Sequence, residues 1–85
     1  MATEALRLLT RRRCHLCELV RGPLAEITGG IGLALVELDI DEHPDLRQTY
    51  SERIPVLLWH GLVVAEGRFD PQSVVNSLRL PPANQ

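Results

Sequence analysis

The stretch ALRLLTRRRCHLCELV, residues 5–20, changes its period halfway along. Ala5 to Thr10 is a short, mostly apolar run of the kind that forms a strand buried on both faces. From His15 onward Leu16, Leu19, Val20, Leu24 and Ile27 recur at helical spacing. Between the two patterns stand Arg11, Arg12 and Arg13 and then both cysteines of the chain, Cys14 and Cys17, separated by two residues. A strand therefore delivers the chain through a charged turn into a helix that opens on C-x-x-C.

Gly29, Gly30 and Gly32 are expected to stop that helix, and Gly22-Pro23 to kink it midway. Leu33 to Asp39 reads as a second buried strand. It is followed by a helix with Pro44 in its first turn and with Leu46 and Tyr50 on one face, ending near Arg53. Pro55 disfavours helix at Ile54, so the chain turns extended there. Val56–Trp59 and Leu62–Glu66 form a hairpin across His60-Gly61, where glycine tolerates a positive φ. Asp70 is a good N-cap for a last helix with Pro71 at its first position, Phe69 and Val74 are spaced as a hydrophobic staple, and Val74, Val75 and Leu78 supply its core face. The predicted order is βαβαββα. The first βαβ unit is parallel, the hairpin extends the sheet, and helices cover both faces.

A chain of 85 residues leaves no room for a second core, so residues 1–85 are expected to form a single α/β domain whose polar tail from Pro81 to Gln85 frays. With 45% hydrophobic residues and a formal net charge of -2, the composition is that of an ordinary folded domain and speaks against nucleic acid as a general partner. The longest charge-free stretch, Ile54 to Ala65, has 12 residues, against about 20 for a membrane crossing, and no signal peptide is evident. A cytoplasmic location, with no membrane partner, is the expectation. In a reducing compartment, two cysteines this close are better suited to chemistry or metal than to a structural staple.

The position of the pair has a chemical consequence. Cys14 falls at a helix N-terminus, where free amides and the helix dipole stabilise a thiolate, and the neighbouring arginines add positive charge. Cys17 lies within the same turn, so the two sulfurs can approach and close a small disulfide. Cys14, the more exposed thiol, is expected to attack a substrate disulfide, and Cys17 to resolve the mixed disulfide. Two other readings compete. A closed zinc site needs His15, His43 or His60 to converge on the thiols, and inert packing leaves both cysteines buried on the helix. A c-type haem is excluded by Glu18 in the position after Cys17.

The C-x-x-C at a helix start, the segment DIDEHPDLRQTYSERIPVL, the hairpin with WHG at its turn and EGRFD before the last helix together resemble a glutaredoxin-like protein of the thioredoxin fold. The resemblance runs over nearly the whole chain. It implies a central four-stranded mixed sheet with helices on both faces, Cys14 as nucleophile and Cys17 as resolving thiol. It further implies a cis Pro55 facing them, and a backbone at Ile54 that pairs with an extended peptide or glutathione. Composition by itself favours a trans Pro55. No tightly bound cofactor and no metal are implied. Glutathione is implied as co-substrate, with protein or glutathionylated disulfides as substrates and glutathione or a thioredoxin-type protein as reductant.

This chain departs from ordinary glutaredoxins in two places. His15 and Leu16 stand where proline and tyrosine are usual between the thiols. Of the usual paired glycine and capping aspartate, only Gly67 and Asp70 match, with Glu66 in place of the other glycine. Glu66 is expected to repel the carboxylates of glutathione, whereas Arg68, Arg11 and Arg13 are placed to attract them. His15, if protonated, favours the Cys14 thiolate; its alternative is an exposed residue without a role. Two further functions fit the same fold. One is an iron-sulfur module that uses Cys14 and glutathione as ligands. The other is a redox-inert interaction module working through the hairpin, although Trp59 and Leu62 are better explained there as core residues.

Overall fold

The computed structural model describes residues 5–78, and the tail from Pro81 to Gln85 lies outside them. The elements are β1 (Ala5–Thr10), α1 (His15–Gly30), β2 (Ala34–Asp39), α2 (Pro44–Tyr50), β3 (Val56–Trp59), β4 (Leu62–Glu66) and α3 (Pro71–Ser77), with a single 3-10 turn at Ile40–Glu42. The sheet order is β2-β1-β3-β4. β1 and β2 are parallel, in register from Ala5 opposite Ala34 to Thr10 opposite Asp39. β3 runs antiparallel to β1, with Leu9 opposite Val56, and antiparallel to β4. This is the mixed four-stranded sheet of the thioredoxin fold.

Each face of the sheet has its own core. Leu6, Leu8, Val20, Leu24, Leu57, Trp59 and Val75 form the larger one, beneath α1 and α3. On the opposite face Leu9, Ile40 and Val56 are buried beneath the 40–54 segment, with Leu46 and Tyr50 of α2 packed against them on one helical face. Strand alternation explains the division, because Leu8 and Leu9 of β1 point to opposite sides and both are fully buried.

The cover on the second face is incomplete. α2 has 7 residues, so the half of the sheet beyond it is left to Arg7, Val36 and Val63, all of them exposed. β2 is therefore not the fully buried strand expected from its sequence. It starts at Ala34, occupies a sheet edge and buries none of its side chains completely, although Leu35 and Leu38, and Leu33 just before it, pack against the two cores.

α1 is continuous through Gly22-Pro23. The missing amide of Pro23 leaves the Leu19 carbonyl without its helical partner, and Pro23 and Leu19 both lie on the exposed side, where water can take its place. Gly29 and Gly30 are the last two helical residues rather than the stop. The helix ends at Gly32, whose φ of 72° lets the Leu33 amide donate to the Thr28 carbonyl at 2.9 Å and its own amide donate to Gly29 at 3.3 Å. These two bonds form a Schellman cap. Thr28, buried in the last turn, donates its hydroxyl to the Leu24 carbonyl at 2.8 Å.

The hairpin turn uses His60 and Gly61 at φ 54° and 78°, the left-handed pair that matches the strand twist. Trp59 joins the core beside it, but Leu62 does not: it is 69% exposed at the hairpin tip, contrary to the core packing expected of both. α3 starts as its sequence indicates, with the Asp70 carboxylate accepting from the Ser73 amide at 3.2 Å and Pro71 in the first turn.

The two leucines separate burial from composition. Leu24→Ala is expected to lower the unfolding free energy by about 3 kcal/mol and Leu62→Ala by less than about 0.5 kcal/mol, read from urea titrations. Equal losses would contradict the core assignment.

Candidate active site

Strand register brings distant segments to one end of the sheet. Since Thr10 lies opposite Asp39 and Leu9 opposite Val56, the turn after β1, the loop after β2 and the Ile54-Pro55 segment before β3 share that end. Glu66 lies opposite Val56, so the 66–70 loop arrives there as well.

The turn from β1 to α1 passes through Arg12 and Arg13, the latter in the left-handed region at φ 62°. Cys14 follows as the N-cap of α1 in extended conformation, and its sulfur accepts from the Cys17 amide at 3.2 Å. Sulfur thus stands where a hydroxyl or carboxylate usually satisfies the first free amides of a helix. Cys14 and Cys17 are joined as a disulfide, with Cα atoms 5.2 Å apart. Cys14 is partly exposed, whereas Cys17 is fully buried. His15, the first helical residue, is exposed. Among the described residues no three His, Cys, Asp or Glu side chains come together as a metal-binding cluster, and no helix is long and apolar enough to cross a membrane.

The Ile54-Pro55 peptide bond is cis and Pro55 is buried. The Gly67 amide donates to the Pro55 carbonyl at 2.8 Å and, more weakly, to the Arg53 carbonyl at 3.2 Å, which fastens the end of β4 to the segment before β3. Arg53 reinforces this link. Its Nη2 donates to Glu66 Oε2 at 2.6 Å, its Nε reaches both carboxylate oxygens at 3.2 Å, and its guanidinium lies 4.9 Å from the centre of the Tyr50 ring. Glu66 is therefore not a bare negative charge beside the site, and the repulsion expected from the sequence is offset by Arg53.

Arg11 is also engaged. It donates from Nε to both oxygens of Asp41 at 3.1 Å and ties the turn before Cys14 to the loop after β2, so it does not stand free for an anionic ligand. The buried Thr10 hydroxyl donates to Glu37 at 3.0 Å, and Arg21 of α1 pairs with that same carboxylate at 2.7 Å. By contrast, Arg12, Arg13 and Arg68 are exposed and have no acidic partner among the described residues. Arg53, Glu37 and Asp41 carry no motif, and only the fold reveals their pairing. A cleft of about 100 Å³ opens between Leu16, Leu19 and Val20 of α1 and Gly67, Arg68 and Phe69 of the loop before α3, with Pro71 at the start of α3.

Hydrogen bonds hold two carboxyls below their ordinary range. For Glu66 the main cause is the bond from Arg53, whose own pKa rises in return, and for Asp70 it is the hydroxyl and amide of Ser73. Both carboxyls bind protons more weakly in the folded chain than in the unfolded one. Their contribution is therefore present above the ordinary carboxylate range and is lost as pH falls through it.

The glutaredoxin-like domain (DUF836) family model matches residues 5–79. Uncharacterized proteins of Mycobacterium tuberculosis and Mycobacterium bovis are 33% identical over 66 residues, covering 72% of this chain and 68% of theirs. A crystal structure from X. campestris is 29% identical and superposes with a TM-score of 0.69, covering 87% of this chain and 99% of that one. A solution structure from Nitrosomonas europaea, 24% identical, shares the fold at a TM-score of 0.72 over 91% of this chain and 92% of its own.

The two acid-sensitive contacts give a direct expectation. The fall in Tm between about pH 5 and pH 3 is shallower in the Glu66→Gln, Asp70→Asn double variant than in the wild type. Parallel curves would show that neither contact is linked to protonation.

Proposed function

Because the chain belongs to the glutaredoxin-like domain family, we propose that it is a thiol-disulfide oxidoreductase that cycles between a Cys14/Cys17 dithiol and their disulfide. The observation that carries this reading is a disulfide on the first turn of α1 with one cysteine partly exposed at the N-cap and the other buried.

In the reduced protein Cys14 loses its proton and attacks one sulfur of a substrate disulfide. A mixed disulfide forms, and the first substrate thiolate leaves. Cys17 then gives up its proton and attacks the Cys14 sulfur, which releases the second substrate thiol and leaves the Cys14-Cys17 disulfide. Two electrons pass from the dithiol to the substrate, and glutathione or a thioredoxin-type protein returns them. The Cys14 thiolate is favoured by the Cys17 amide and the N-terminal end of α1, and the charge of Arg13 adds to this. The backbone at Ile54-Pro55 receives the extended substrate, while Gly67, Arg68 and the Asp70-capped start of α3 hold its charged end. Protein disulfides and glutathionylated thiols are both substrates of this type.

Burial explains why the thiols have different roles. Cys17 has no access to a bulky disulfide but lies within its own helical turn of the Cys14 sulfur. The reduced wild type exposed to oxidised glutathione is expected to lose two hydrogens by mass spectrometry, whereas Cys17→Ser retains one glutathione on Cys14 and Cys14→Ser has no exchange activity. If the wild type stays unchanged with its thiols free, the proposal is overturned.

A further inference from the structure

The cleft beside α1 and the charges around it bear on which disulfides this site accepts, an inference that rests on the exchange reaction above. Five apolar side chains, Leu16, Leu19, Val20, Phe69 and Pro71, contribute to the cleft, and its volume of about 100 Å³ suits one aliphatic side chain. The cleft is walled by Leu16, the residue between the two cysteines, and by Gly67, whose amide donates to the Pro55 carbonyl, so it opens at the same end of the sheet as Cys14. Leu19 is 52% exposed, an apolar surface left to solvent on the wall of the cleft.

The charges are distributed unevenly. Asp41 and Glu66 at this end of the sheet are bound by Arg11 and Arg53, and the Asp70 carboxylate caps α3. Arg68 on the cleft wall, and Arg12 and Arg13 in the turn before Cys14, have no such partner among the described residues. Glu18, the acid in the first turn of α1, follows Cys14 by four residues and lies on its side of the helix, its amide donating to the Cys14 carbonyl at 3.1 Å, and Asp39 ends β2 opposite Thr10. Glu42, Asp45 and Glu52 belong to the segment covering the other face of the sheet. Three exposed arginines, Arg12, Arg13 and Arg68, thus stand against two acids, Glu18 and Asp39, at this end of a chain whose formal net charge is -2.

We propose that the cleft seats an apolar side chain next to the oxidised cysteine of a polypeptide substrate, and that Arg12, Arg13 and Arg68 select polypeptides whose flanking residues are acidic. The negative remainder of the chain repels such a partner while this end attracts it, so encounter is oriented toward the reactive sulfur.

The test is a single turnover with pre-reduced protein, which needs no added reductant. Four disulfides are compared by the rate at which the Cys14-Cys17 disulfide appears after acid quench. They are an Asp-Leu-Cys-Glu peptide and a Lys-Leu-Cys-Lys peptide, each linked to mercaptoethanol, together with oxidised glutathione and bis(2-hydroxyethyl) disulfide. The acidic peptide is expected to react about tenfold faster than the basic one at low salt, with the ratio falling toward unity in about 0.5 M NaCl. It should also outrun oxidised glutathione, which is anionic but offers no aliphatic side chain. In Arg68→Glu the acidic-to-basic ratio falls, and in Leu19→Ser the advantage over glutathione falls. Each ratio is taken within one variant, so a general loss of activity cancels. If the hydroxyethyl disulfide oxidises the wild type but the two peptides react alike, or glutathione reacts faster, the selectivity proposal is overturned and the exchange reaction stands. If no disulfide oxidises the wild type, the exchange reaction itself falls and this proposal with it.

Discussion

β1 is paired on both sides, along its whole length to β2 and over Arg7–Leu9 to β3, and this double pairing determines which residues meet. Because its partners are fixed in register, the ends of four segments far apart in sequence arrive at one edge of the molecule. Cys14 shares that edge with the Ile54-Pro55 segment and the 66–70 loop only because Thr10, Asp39, Val56 and Glu66 are in line. Slipping β1 by one residue would turn Leu8 and Leu9 to the wrong faces and empty both cores at once, so the geometry of the site and the packing of the interior are secured by the same ladder.

Around that edge, three ion pairs act as ties between segments more than as sources of stability. Arg11 with Asp41, Arg21 with Glu37 and Arg53 with Glu66 each join two elements, and all three are partly exposed, where such pairs contribute little individually. Their effect is on charge. They offset Asp41 and Glu66 at this end of the sheet and leave Arg12, Arg13 and Arg68 without an acidic partner among the described residues.

Local signals were legible because each depends on neighbours in the chain. The His60-Gly61 turn, the Asp70 cap with Pro71 and the placement of Cys14 at a helix start all follow from a few adjacent residues. What the sequence concealed depends on distance in the chain. Glu66 looks repulsive until Arg53, 13 residues away, is seen across from it, and Arg11 looks available until Asp41, 30 residues on, occupies it. The apolar pattern of β2 could not reveal that the strand lies at an edge, since burial there depends on the length of α2. Pro23 reads as a break, yet it sits on a helix face where water can satisfy the carbonyl it leaves unpaired.

The unequal cores also determine where the native state yields first. The larger one clamps α1 and α3 to the sheet, while the 40–54 segment rests on three buried residues and the partly buried side chains around them. A partial opening that lifts this segment sacrifices much less apolar contact than one that detaches α1, so it is reached at lower free energy. Arg53 and Ile54 travel with that segment, and their link to Gly67 is its far anchor. The Ile54-Pro55 segment thus belongs to the less firmly held part of the fold, whereas the cysteines open a helix that the larger core holds to the sheet.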